Sequence, residues 1–198
     1  MKELGCNIVR SIFVDNNCGY LCICVALLWI LGKKSRITFF DFSDIIKKYL
    51  KCFEKAKKVM KILIFIIPLF LSYIAVLSNK INDNTINIIT VIISVLTGLF
   101  FMLVEVLIDL SDKFKVNKKI SANKYTHINE LIRETFYIVM YEIMNSIFIL
   151  LFCFMTIFSK KYGYIDSFVI YYISIVLVLN LFIVLNRMFA LIDEITNN

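Results

Sequence analysis

Six side chains with charge or strong hydrogen-bonding capacity stand inside segments otherwise built of Ile, Leu, Val and Phe: Glu105, Asp109, Glu142, Asn145, Asn180 and Arg187. An ionisable group among such residues is costly at membrane depth and faces protein or water rather than lipid. Glu105 and Asp109 share a helix face, as do Glu134, Glu142 and Asn145, and as do Asn180 and Arg187. Glu142 lies about 12 Å into its helix, counted at 1.5 Å per residue from Glu134. Three kinds of chemistry suit this set. Arg187 can neutralise Glu142 or Glu105 in an ion-paired packing cluster, with Glu142 expected as the partner. The same groups can line a water-filled path or gate. They can also form a proton-coupled transport site.

Catalytic and metal chemistry find little support. The chain lacks His-Glu-x-x-His, a Walker A loop and the paired aspartates of intramembrane aspartic proteases. The single histidine, His127, falls in a loop, whereas Cys153 falls near the far end of a span. Cys18-x3-Cys22-x-Cys24 does not match a zinc spacing. Cys22, Cys24 and Cys153 read as small core residues, and Cys52 as a loop residue. Cys6 and Cys18 can pair only if the N-terminus is outside. No enzyme activity, cofactor or metal is expected.

The elements that must position these residues are long and apolar. The chain is 60% hydrophobic, and its mean hydropathy is +0.82. Four segments, 61–78, 86–110, 134–158 and 166–189, are each long enough to cross a hydrocarbon core of about 30 Å as a helix. Backbone amides in lipid must pair within their own segment, so these are helices. The expected fold is an all-α integral membrane protein: two transmembrane helical hairpins, an N-terminal short span at 18–32 and a cytoplasmic amphipathic helix. The hairpins turn through 79–85 and 159–165, and Leu77-Ser78-Asn79-Lys80 faintly echoes Phe158-Ser159-Lys160-Lys161. Pro68 is expected to kink its span. Residues 1–60 then form one unit, and residues 61–198 a four-helix core. The 18–32 segment does not read as a cleaved signal, since no small-x-small site follows it.

Charge gives an orientation. The stretch 33–61 carries ten Lys/Arg and the stretch 111–133 carries six, against one and two in the tight turns. Basic loops stay cytoplasmic, so both basic stretches and the C-terminus are expected on the inner side of the membrane. Residues 43–60 read as an amphipathic helix on the inner leaflet. Ile45, Ile46, Tyr49, Leu50, Phe53, Ala56 and Met60 share one face, and Lys47, Lys48, Lys51, Lys55 and Lys58 the other. With Lys113, Lys115, Lys118 and Lys119 these form a basic surface suited to anionic lipid and to a cytosolic protein. No aromatic-interleaved nucleic-acid motif accompanies it. Thr90, Ser94 and Gly98 recur every four residues, a small-residue stripe that lets another helix approach closely.

Three stretches carry a resemblance. They are Ile93-Ser94-Val95-Leu96-Thr97-Gly98-Leu99-Phe100-Phe101 leading to Asp109-Leu110, Asn129-Glu130-Leu131-Ile132-Arg133-Glu134-Thr135-Phe136-Tyr137, and Leu185-Asn186-Arg187-Met188-Phe189-Ala190-Leu191-Ile192-Asp193-Glu194. Across residues 61–194 their order resembles small four-span bacterial membrane proteins found with antiphage defence systems. The membrane component of Kiwa-type systems and the membrane effectors of nucleotide-signalling systems are of this kind. The resemblance implies a homo-oligomer that senses or perturbs the membrane with a cytosolic partner. This chain differs in having no soluble ligand-binding domain. A small transporter or permease subunit using the buried carboxylates, and a membrane immunity protein, are the alternatives.

The orientation is directly testable. In intact cells, on a background without native cysteines, a cysteine placed at Asn82 should react with an impermeant maleimide and one at Ser121 should not. The reverse labelling would invert the topology.

Overall fold

A computed structural model describes residues 42–53, 58–116, 122–159 and 162–196. The proposed short span 18–32 lies outside these residues, as do Cys6, Lys55, Lys118 and Lys119. Every described element is helical: α1 (Phe42–Cys52), α2 (Lys58–Ser78), α3 (Asp83–Val116), α4 (Ala122–Ser159) and α5 (Tyr164–Thr196). Three stretches, Asp83–Lys113, Tyr125–Phe158 and Tyr164–Glu194, are long and apolar enough to cross a membrane. The apolar part of α2, Ile64–Ser78, is shorter, about 22 Å at 1.5 Å per residue. α2 continues as helix through Pro68.

The helices pack through repeating seams. On α3 the fully buried residues are Ile86, Ile93, Phe100 and Leu107, seven apart. On α5, Ile170, Leu177, Val184 and Leu191 repeat with the same period. A seven-residue repeat is the spacing that keeps one stripe of a long helix against its neighbour. The buried stripe of α2 is narrower: Ile64, Pro68, Ser72 and Val76. Pro68 and Ser72 are compact, which suits close helix approach. Most other described side chains of α2, including Phe70, Tyr73 and Leu77, are exposed, with Phe65 and Ala75 half-buried.

The spatial order departs from two side-by-side hairpins. α3 packs on α4 and α4 on α5, while α2 packs on α5 rather than along α3. The turn end of the bundle shows why. The Ile81 N–H donates to Ser167 Oγ at 3.2 Å, and the Tyr171 hydroxyl donates to the Asn79 carbonyl at 3.3 Å. The Tyr162 hydroxyl bonds Asp83, and Lys80 Nζ sits 3.6 Å from the Tyr164 ring centroid. The α2–α3 connection is thus fastened to the start of α5. Asn82 caps α3 by accepting the Thr85 N–H at 2.9 Å, one of the free donors at any helix start.

The amphipathic segment also differs from expectation. It does not run as one helix over 43–60: α1 ends at Cys52, and Met60 belongs to α2. Nor does it only lie on a membrane surface. α1 packs on α4, with Tyr49 and Phe53 buried and Ile46 and Leu50 exposed. Tyr49 stacks on Tyr141 with ring centroids 3.8 Å apart and meets Phe53 edge-on at 4.9 Å.

Tyr49 therefore holds α1 to the bundle. Tyr49→Ala should cost about 3 kcal/mol or more, as large aromatic truncations do. Tyr49→Phe keeps the ring contacts and should cost about 1 kcal/mol. Limited proteolysis at the lysines of α1 in detergent should be much faster for the alanine variant than for the phenylalanine one. Equal rates would show that the ring does not hold the helix.

Candidate functional site

The polar residues of the interior form two layers between α4 and α5, and register decides their membership. The helices are antiparallel, so each step up α4 is matched by a step down α5. Arg187 lies level with Glu134, and Asn180, two turns away, lies level with Glu142. Arg187 Nη1 donates to Glu134 Oε2 at 2.6 Å. The expected Arg187–Glu142 pair is therefore not formed, because Arg187 meets α4 about 12 Å below Glu142 at helical rise. Both members of the actual pair are largely buried, with side chains 18% and 25% exposed. Farther along, His127 Nε2 approaches Glu194 Oε2 at 3.7 Å.

The second layer is fully enclosed. Glu142, Ser146 and Asn180 have no exposed surface. The Asn180 amide nitrogen donates to Glu142 Oε1 at 2.5 Å and to the Tyr49 hydroxyl oxygen at 3.0 Å. An amide nitrogen carries two hydrogens, so both are used. Glu142 Oε2 and Ser146 Oγ, one helical turn apart, have no hydrogen-bond partner. Buried polar atoms normally find partners, and each exception calls for an explanation.

α1 closes this layer. Burial first, then the neighbouring Glu142, pushes the Tyr49 phenol above its usual range. Tyr49 is accordingly a neutral hydroxyl that both donates and accepts. The Cys52 Sγ lies 3.8 Å from the Glu134 carbonyl oxygen and 3.1 Å from that of Lys48. Burial and then Glu134 raise its thiol, which makes it a poor nucleophile at neutral pH. Cys153 is a buried free cysteine, in keeping with a core role.

Other expected site residues sit elsewhere. Glu105 and Asp109 are exposed on α3 and do not join the interior cluster. The reason is the α3 seam, which presents the Ile86–Leu107 repeat to α4 and turns both acids outward. Asn145 is half-buried beside the Tyr141 hydroxyl. Ser94 and Gly98 are exposed among the described residues, while Thr90 is half-buried with its hydroxyl enclosed beside Cys153 on α4. A Cβ added at Gly98 would meet nothing within 4 Å. Lys47, Lys51 and Lys113 are exposed. Lys48 bonds Asp44 at 2.7 Å and lies 5.1 Å from the Tyr137 ring centroid. The side chains of Lys58 and Lys115 lie outside the described set.

Two participants do not stand out in the sequence. Glu134 shares the Glu142 face without any sign that it pairs with Arg187, and Tyr49 is one member of an apolar face. The spacing of eight between Glu134 and Glu142 against seven between Asn180 and Arg187 was the available signal for the two layers.

Among the described residues, no group of three or more His, Cys, Asp and Glu side chains is placed to hold a metal ion. Compared with protein-family models, curated proteins and solved structures, the chain matches none.

The ion pair yields a rescue test. Arg187→Met leaves Glu134 without its cation and should destabilise the detergent-solubilised protein by about 1–3 kcal/mol, below the fully buried range because both groups keep some exposure. Adding Glu134→Gln should recover part of the loss, whereas adding Glu142→Gln should not. Rescue by Glu142→Gln alone would show a different register.

Proposed function

We propose that this chain is a non-enzymatic, multi-pass component of a bacterial plasma membrane that works as a homo-oligomer with a cytosolic partner, in the manner of antiphage-defence membrane proteins. The observation that supports assembly is the condition of α3. Only 17% of its apolar window is buried, against 44% for α4. Among the described helices α3 has its substantial contact with α4 alone, and its outer side carries Ser94, Gly98, Glu105 and Asp109. A carboxylate turned outward from an apolar helix is costly against lipid, and a small-residue stripe on the same helix suits close approach by another. A second copy of the chain meets both needs.

In this reading α2 serves as a fourth span, and the end of the bundle bearing α1 faces the cytoplasm, as the Lys/Arg excess favours. Lys47, Lys51 and Lys113 then offer a basic surface to anionic lipid and to a protein partner. The assignment to defence rests on the sequence resemblance over residues 61–194. A second reading, a small transporter or permease subunit, draws support from Glu142, a carboxyl with no exposed surface and one oxygen without a partner.

Gly98→Leu tests the assembly. Among the described residues a Cβ at this position meets nothing within 4 Å, so the monomer fold should keep its thermal stability. Native mass spectrometry of the full chain released from detergent should show lower oligomers than wild type. An unchanged oligomer distribution would place the α3 stripe against lipid and remove the support for assembly through it.

A further inference from the structure

The second polar layer has a feature that packing alone does not require. Glu142 is fully buried, yet one of its two oxygens has no donor, and Ser146 Oγ one turn away is also without a partner. The other oxygen is held by Asn180, whose second amide hydrogen goes to Tyr49 on α1. A carboxyl in this position is joined by a single amide to the only described contact that α1 makes with α5 through a hydrogen bond. We propose that Glu142 is a proton-binding site whose occupancy is coupled, through Asn180, to the docking of α1.

The surrounding groups set the sign. α1 contributes the neutral Tyr49 hydroxyl. α4 contributes Tyr141, and α5 contributes Tyr172 near both phenols. Arg187 of α5 is engaged by Glu134 two turns below, and Lys48 of α1 by Asp44. The acids of α3, Glu105 and Asp109, face outward. α2 presents Ile64, Pro68, Ser72 and Val76 to the bundle, none of them titratable. A protonated carboxyl fits this site: its O–H lies on the same helix face as the free Ser146 hydroxyl, while Oε1 still accepts from Asn180. A carboxylate adds a full charge that no cation among the described residues is seen to pair with, and burial of such a charge is strongly unfavourable. Releasing α1 withdraws Tyr49 and admits water to Asn180 and Glu142, which relieves that cost. Proton loss therefore favours the released helix, and proton uptake favours the docked one. This inference does not depend on the oligomer proposed above.

Two measurements on the full chain in lipid nanodiscs test it. The first is reaction with a hydrophobic carbodiimide, which modifies carboxylic acids rather than carboxylates in apolar surroundings, followed by peptide mass spectrometry. Glu142 should be modified at low pH and progressively spared as pH rises, while ion-paired Glu134 should remain largely unmodified. The second is amide hydrogen exchange of Phe42–Cys52, expressed as protection factors so that the intrinsic pH dependence of exchange cancels. Wild-type protection in α1 should fall about tenfold or more between about pH 6 and about pH 9, as expected when one proton is linked to opening. Glu142→Gln, which keeps the shape and cannot ionise, should give a flat profile. Absence of Glu142 modification at every pH overturns the proposal. So does a wild-type α1 profile that is flat, or one that Glu142→Gln reproduces. Should the glutamine variant fail to fold, wild-type modification and protection must still change together over the same pH range, and a mismatch between them overturns the coupling.

Discussion

Asn180 is the hinge of the interior. Its amide nitrogen reaches Glu142 on α4 and Tyr49 on α1 from its own place on α5, so three helices meet at one side chain with no exposed surface. In a bilayer the lipid is as apolar as leucine, and burying apolar side chains gives helices little reason to choose each other. Orientation must then come from close packing and from hydrogen bonds that lipid cannot replace. The Asn180 layer and the Arg187–Glu134 pair below it fix the α4–α5 register at two heights. A slip of one residue along either helix would break both.

The remaining helices follow from that pair. α3 adds to α4 through the Ile86–Leu107 seam, and α2 adds to α5 through a narrow stripe fastened at the turn end by Ser167, Tyr171 and the Tyr162–Asp83 contact. α1 closes the layer by inserting Tyr49 beside Tyr141. The outer surfaces of α2 and α3 expose many large apolar side chains, with Glu105 and Asp109 among those of α3. Burial thus decreases outward from the α4–α5 pair, and the fully enclosed Glu142–Asn180 contact lies at its centre.

Much of this was legible in the residue order. Runs of Ile, Leu, Val and Phe locate the long helices, but the seven-residue seams of α3 and α5 are hidden among apolar residues on every face. Glu142, Asn180 and Arg187 stand out as polar residues in apolar surroundings, and all three lie in the interior layers. The partners were harder to read. Whether Arg187 meets Glu134 or Glu142 depends on the antiparallel register, which is set by the loop and by packing at the far turn rather than by either helix alone. Glu105 looked equivalent to Glu142 because both are carboxylates in spans. They differ because the α3 seam turns Glu105 outward. Tyr49 looked like any other apolar-face residue, since its hydroxyl matters only once α5 places Asn180 opposite it. The packing of α2 on α5 was likewise invisible, because adjacency in sequence favours a local hairpin.

The central claim is that hydrogen bonding between Asn180 and the Tyr49 hydroxyl ties α1 to the α4–α5 core. A double-mutant cycle with Tyr49→Phe and Asn180→Leu measures it most directly, read as the free energy of α1 opening by hydrogen exchange. The account predicts a coupling of about 1 kcal/mol, because each single change removes the same bond. Strictly additive effects, with each substitution acting as though the other residue were absent, would contradict it.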